Sequence, residues 1–192
     1  MHSNLLTNIK KFIALSDPEM ETIASYFNHE TIKKRACLLE EGKVCNKQYF
    51  ILDGCFRFYI INEKGNEQTL QFGIENWWIA DYMSFESQRS SHFFIQAIEN
   101  ASVLSIDKKS LDELLTQIPK LERYFRLVLQ QSIGAAQMRI KDLFTMTAEE
   151  RYNHFSTSFP DFVQRVPQYM LASYLDFTPE FLSKIRKLKR ID

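Results

Sequence analysis

The hydrophobic period of this chain changes at about Asp107. From about Thr31 to Asp107 apolar side chains alternate, as on a strand with one buried face; beyond Asp107 they recur every three or four residues, as on a helix. Phe56, Phe58 and Ile60 point one way while Cys55, Arg57, Tyr59 and Ile61 point the other. The polar run Asn62 to Glu67, with Gly65 free to take positive φ, leads back into Leu70 and Phe72, a hairpin. Further aromatic-rich runs at Trp77 to Ile79, Phe93 to Ala97 and Val103 to Ile106 complete a barrel or sandwich filling roughly residues 30 to 107.

Helices flank this body. Ser16-Asp17-Pro18-Glu19 has capping-box spacing, and Met20, Ile23, Ala24 and Phe27 follow at helical intervals. After Asp107, Leu111, Leu114 and Leu115 form a helix that breaks at Pro119. A long helix from Lys120 to about Thr145 carries apolar residues over more than half its circumference, so it must bury two faces. One face can pack on the body and the other on a second copy of itself, with Gly134, Ala135 and Ala136 allowing close approach; burial inside one subunit is the other reading. Thr147-Ala148-Glu149-Glu150 is a second capping box. The domain boundary is placed there, giving residues 1–145 and a helical domain over 146–192.

With 192 residues, 45% of them apolar and 25% charged, the chain is long enough for one large or two small cores. Its 24 Lys plus Arg balance 24 Asp plus Glu, so only the distribution of charge is informative. From Thr178 to Asp192 five basic residues face two acidic ones, a balance of +3, which leaves −3 on the rest. A basic end on an acidic body suits nucleic acid, and it equally suits a solvated helix terminus. Cys37, Cys45 and Cys55 lack metal-site or disulfide-framework spacing and are expected to be reduced and inert. No apolar run reaches 18 residues, and Met1-His2-Ser3-Asn4 does not begin a secretory leader, so a cytoplasmic protein without membrane attachment is expected.

The segment from Val166 to Lys189 carries the functional signal. Pro167 opens a helix whose Leu171, Ala172 and Leu175 form one face, followed by a turn at Asp176-Phe177. Thr178 can cap the next helix through its hydroxyl, with Pro179 at the first helical position and Glu180 near the positive dipole end. Leu182, Ile185 and Leu188 face the first helix, which turns Glu180, Ser183, Lys184 and Lys187 outward. This is a helix-turn-helix pattern, and the N-terminal side chains of its second helix can reach base edges in a major groove. Lys184 can donate to guanine, Glu180 can accept from cytosine, and Ser183 can do either. Arg186, Lys187, Lys189, Arg190 and Gln168 are candidates for phosphate contact. An αα-hairpin with a charged face, exposing Tyr169 and Phe181 to a protein partner, matches the same pattern.

A β-body, a long helix and a C-terminal helix-turn-helix, in that order, resemble the Crp/Fnr family of bacterial transcription regulators over nearly the whole chain. Tyr49-Phe50-Ile51-Leu52-Asp53-Gly54, the hairpin through Gly65 and the stretch Gln168 to Lys187 carry the likeness. The wording of that last stretch is similar to members common in Bacteroidetes. The resemblance implies an α+β fold: an N-terminal β-roll, jelly-roll-like and related to cyclic-nucleotide-binding domains, then a dimerisation helix at about 120–145 and a DNA-binding helix-turn-helix. It implies a homodimer on a pseudo-palindromic operator in double-stranded DNA, with RNA polymerase as a further partner and an effector of unknown identity. The DNA-binding residues it implies are Gln168, Thr178, Glu180, Phe181, Ser183, Lys184, Arg186 and Lys187.

The chain departs from the family at the effector site. Members that bind cyclic AMP use a Gly-Glu-Leu turn and, some ten residues on, an Arg followed by a small residue. Here those places read Ala80-Asp81-Tyr82 and Ser91-His92, with Arg89 two residues early. Without the phosphate-binding Arg, ordinary cyclic AMP binding is disfavoured. Asp81, Tyr82, Arg89, Ser91 and His92 would line whatever pocket exists. Trp77, Trp78, Tyr82 and Phe85 either fill it or belong to the core. Residues 1 to 30 lack the cysteines of the family's iron–sulfur sensors, and His92 is the single His near the pocket, so no cofactor and no metal are expected. The sequence ends at Asp192, which leaves no length for the β-wing usual after the recognition helix and predicts weaker phosphate contact.

An enzyme is the competing class. A cupin-like barrel would need a His-x-His pair, which His2, His29, His92 and His154 do not form. There is no P-loop, Gly-x-Ser-x-Gly or Cys-x-x-Cys motif. A sensor or interaction module whose helix-turn-helix no longer reads DNA is the second alternative.

Overall fold

A computed structural model describes residues 2–188, with the side chains described as far as Arg186. Lys189 and Arg190, and the side chains of Lys187 and Leu188, lie outside that range. The chain divides into two compact units, one built from the residues up to Ile60 together with Gln71–Gln130, the other from Ile61–Leu70 and the chain from Gln131 onward.

The first unit is an α+β β-roll. Its elements are α1 (Ser3–Lys10), α2 (Asp17–Ser25), β1 (Asn28–Ile32), β2 (Cys37–Leu39), β3 (Lys47–Asp53) and β4 (Phe56–Ile61). They continue with β5 (Glu67–Gly73, whose Glu67–Leu70 belong to the second unit), β6 (Trp78–Ile79), α3 (Tyr82–Ser87), β7 (Phe94–Ala97), β8 (Ala101–Asp107), α4 (Lys108–Gln117) and the first half of α5 (Lys120–Thr145). The strands form two four-stranded sheets, ordered β1-β8-β3-β6 and β2-β7-β4-β5. Where partners are assigned, pairing is antiparallel, with Phe50 opposite Leu104 and Phe58 opposite Ile95. Phe50, Ile51, Phe56, Ile95, Val103, Leu104 and Ile106 are fully buried and lie in one core. In β3 the consecutive residues Gln48 to Ile51 are buried, so both faces are covered, and Trp78 of the neighbouring β6, beside Phe50, packs on Phe125 of α5.

The hairpin forms where expected. Gly65 has φ 77°, its N–H donates to the Asn62 carbonyl at 2.8 Å, and the Asn62 side-chain oxygen accepts from the amides of Lys64 and Asn66. The Ser16 capping box is present. Its Glu19 carboxylate accepts from the Ser16 amide and hydroxyl and from Lys120 Nζ at 2.7 Å, tying the start of α2 to the start of α5. These contacts, with the Lys120 bond foremost, hold the Glu19 pKa at about 2.

A chain of side-chain hydrogen bonds closes the helical side of the roll. Trp78 Nε1 donates to the Tyr124 hydroxyl at 2.7 Å, which donates to Asn8 Oδ1 at 2.8 Å, while Asn8 Nδ2 donates to the Asn76 carbonyl at 3.2 Å. Of the four aromatics singled out near the presumed pocket, Trp78 and Phe85 are core residues, Tyr82 packs against the core, and Trp77 is exposed. The core reading accounts for three of them.

The second unit holds the tip of the β4–β5 hairpin, the rest of α5, and α6 (Ala148–Ser158), α7 (Pro160–Arg165), α8 (Gln168–Leu175) and α9 (Pro179–Leu188). The Thr147 and Glu150 capping box starts α6. A turn separates α5 from α6, and the chain divides into its compact units earlier, inside α5 after Gln130. α5 spans the residues expected of it. Leu121 and Tyr124 are buried, but Ile133, Ile140 and Phe144 stand exposed, along with Met138. Ile133, Ala136, Ile140 and Phe144 recur at helical spacing on one stripe, and a Cβ added to Gly134 would meet open space. Among the described residues, no helix is long and apolar enough to cross a membrane.

Candidate nucleic-acid interface

α8 and α9 form a helix pair in contact, joined by a short turn. α8 ends at Asp176, which adopts the left-handed conformation at φ 61° and ψ 52°. That geometry lets the Phe177 amide reach back to the Ala172 carbonyl at 3.1 Å, and Asp tolerates positive φ better than a branched residue would. α9 then begins as its sequence dictates. The Thr178 hydroxyl accepts from the Phe181 amide at 3.3 Å, and Pro179 occupies the first helical position.

The apolar face of the pair is closed. Met170, Leu171, Ala172 and Leu175 of α8 are buried, as are Leu182 and Ile185 of α9. Because α9 turns this face inward, its other side is open: Glu180, Phe181, Ser183 and Lys184 are all exposed. Glu180, Ser183 and Lys184, at spacings of three and four, share one helical face at the N-terminal end, where a groove-bound helix meets base edges. Thr178 and Gln168 are exposed near the two helix starts, and Arg186 is half buried. Tyr169 and Phe181 expose 51% and 40% of their surfaces.

The C-terminal end of α8 is held by side chains that sequence reasoning missed. Its last carbonyls each accept from a distant residue: Ser173 O from Gln68 Nε2, Tyr174 O from Arg139 at 2.8 Å, and Leu175 O from Arg151 Nε at 3.0 Å. Arg139 also lies over the Tyr174 ring, 4.5 Å from its centroid, and Arg151 donates a second time to the Met146 carbonyl. Two guanidinium groups at the negative end of a helix dipole stabilise it by charge as well as by hydrogen bonding. In the sequence, Arg139 and Arg151 are indistinguishable from solvated helix cations.

At the expected effector turn, Asp81 and Ser91 come together while Arg89 and His92 are exposed. Asp81 caps α3: its Oδ1 accepts from the Met83 and Ser84 amides at 3.1 Å each, and its Oδ2 accepts from the Ser91 hydroxyl at 2.7 Å. Asp81 is 5% exposed and Ser91 2%. Half-buried Tyr82 follows Asp81 on α3, and burial pushes its phenol up to about 12. The turn's amide and hydroxyl donors are thus already engaged by a carboxylate of the same chain. A cyclic phosphate entering here would have to displace Asp81 from those donors, and Arg89, the cation nearest in sequence, is exposed, so the exchange lacks the charge-assisted contact that would favour it.

Residues 29–117 match the cyclic nucleotide-binding domain family. The chain is 27% identical over 185 residues to the anaerobic regulatory protein of Haemophilus influenzae, covering 89% of this chain and 70% of the relative. It is 26% identical over 185 residues to the fumarate and nitrate reduction regulatory protein of Escherichia coli K12, covering 89% and 72%. The solved structure of FixK2 from Bradyrhizobium japonicum superposes with a TM-score of 0.72 at 18% identity, covering 86% of this chain and 85% of that one. These relatives do not bear on the likeness to Bacteroidetes members.

Proposed function

We propose that this chain, whose residues 29–117 match the cyclic nucleotide-binding domain family and which is 26–27% identical to the two regulatory proteins of Haemophilus influenzae and Escherichia coli, is a homodimeric transcription regulator of the Crp/Fnr type that reads double-stranded DNA through α9 and does not respond to cyclic AMP. The observation that carries this reading is the open face of α9, with Glu180, Ser183 and Lys184 exposed together on a capped helix. Residues 1–145 form the sensor and dimer domain and 146–192 the DNA-binding domain. Two copies meet along the exposed stripe Ile133, Ala136, Ile140 and Phe144, beside Gly134. Their recognition helices enter successive major grooves about 34 Å apart on a pseudo-palindromic operator. The protein acts in the cytoplasm, with RNA polymerase as partner, as a DNA reader and not as an enzyme.

Lys184 reads a base and Lys187 neutralises phosphate. Replacing Lys184 with Ala weakens the cognate site by about 1–3 kcal/mol and relaxes one base preference, whereas replacing Lys187 weakens all sequences alike. An anisotropy titration against cognate and random duplexes separates the two. Equal, negligible effects on both duplexes would contradict the assignment and favour the protein-interaction reading, which the exposed Tyr169 and Phe181 support.

Asp81 fills the place where an anionic effector would need free donors. Calorimetric titration with cyclic AMP is therefore expected to give no heat of binding at micromolar nucleotide. Saturable micromolar binding would overturn this part of the reading.

A further inference from the structure

We propose that Ser173 is a positioning residue: its hydroxyl seats α8 on the outer edge of β5 and thereby fixes the angle at which α9 meets DNA. The proposal rests on the reading of α8 and α9 as a DNA-reading pair. β5 ends its sheet in the order β2-β7-β4-β5, so among the described residues no strand pairs with its outer side. In an extended edge strand the carbonyl of one residue and the amide two residues on face the same way. Ser173 satisfies both groups at once: its Oγ accepts from the Thr69 amide at 2.8 Å and donates to the Glu67 carbonyl at 2.9 Å. Gln68 Nε2 donates to the Ser173 carbonyl. One helical residue is thus bonded to three successive residues of the strand, through side chain and main chain together.

A serine inside a helix ordinarily bonds the carbonyl one turn back or faces water. Here the hydroxyl completes the hydrogen bonding of backbone more than a hundred positions earlier in the chain, at a strand whose Thr69 is fully buried. Leu171, Ala172 and Leu175 of α8 and Leu182 and Ile185 of α9 are buried and the two helices are in contact, so the pair is treated as one unit. Whatever orients α8 on the hairpin therefore orients α9. Arg139 and Arg151 grip the last turn of α8 from other helices, and Ser173 is the attachment to a strand. In a dimer the two recognition helices must match the separation and rotation of two half-sites. A change of one base pair rotates a half-site by about 34°. A firm seat makes the protein selective for spacing, a specificity that no base contact supplies.

The test uses the full chain with Ser173→Ala and Ser173→Thr, two readouts, and duplexes carrying selected half-sites at the preferred spacing and one base pair longer or shorter. In Ser173→Ala, amide exchange at Thr69 is expected to accelerate about tenfold, as one net hydrogen bond is lost. The affinity penalty for the wrong spacing is expected to shrink at least about fivefold, while affinity for a single half-site stays within about twofold, since no base contact changes. Ser173→Thr keeps the hydroxyl and restores both values. Unchanged exchange at Thr69 in Ser173→Ala overturns the seat, and faster exchange with an undiminished spacing penalty overturns its positioning role. Wild-type protein that fails to discriminate among any of the duplexes contradicts the DNA reading and the role assigned within it, while the exchange comparison still judges the seat.

Discussion

Replacing Trp78 with Ala is expected to destabilise the protein by about 3–5 kcal/mol, the cost of emptying a large aromatic site that cannot collapse. The side chain is 6% exposed, and its ring lies 5.4 Å from Phe50, 5.2 Å from Phe125 and 6.0 Å from Phe27, centroid to centroid. It also begins the hydrogen-bond chain through Tyr124 to Asn8, so its removal leaves the Tyr124 hydroxyl without its donor. Burial already pushes that phenol upward. Trp78→Phe separates the two contributions, keeping most of the packing and losing the N–H at a cost of about 1–3 kcal/mol. Urea denaturation of the three proteins gives the comparison. An Ala variant less than about 1.5 kcal/mol below wild type would mean that Trp78 does not join the roll to α5.

Leu182→Ala strikes the other unit. Leu182 is fully buried on the inner face of α9, among the apolar residues that hold α9 to α8. A Leu to Ala change in such a site costs about 2–5 kcal/mol, a large share of what so small a helical cluster can supply. The expected result is loss of sequence-specific DNA binding. Both tryptophans of the chain, Trp77 and Trp78, lie in the first unit, so their fluorescence is expected to keep its native form in the variant. Lys184→Ala is the contrast, since it weakens binding and leaves stability unchanged. Native-like DNA affinity in Leu182→Ala would contradict the pairing of α8 with α9 as the basis of reading.

What could be read in the sequence was what local chemistry determines. Thr178, Pro179 and the small Ala172 set the start of α9 and its crossing with α8 through residues within seven positions of each other. Both capping boxes and the Gly65 hairpin were legible for the same reason. Alternation located the strands around Phe56, Phe94 and Val103, but it could not give their order, because β1 pairs with β8 across more than seventy residues. β1 itself, Asn-His-Glu-Thr-Ile, is mostly exposed and carries little apolar signal. α3 was hidden inside an aromatic-rich run, although Asp81 ahead of it is an ordinary N-cap. The grip on α8 by Gln68, Arg139 and Arg151 could not be foreseen, since each pair is far apart in sequence and each residue alone reads as solvated. The two-sided apolar character of α5 was legible, and its second half leaves that character uncovered within one chain.

Two copies that present the exposed face of α9 to two half-sites would be recognised by the DNA they select. From random duplexes offered to the purified full chain, the expected result is enrichment of an inverted repeat whose half-sites are centred about one helical turn, roughly 10 base pairs, apart. Recovery of no shared sequence, or of duplexes bound no better than the starting pool, would contradict it.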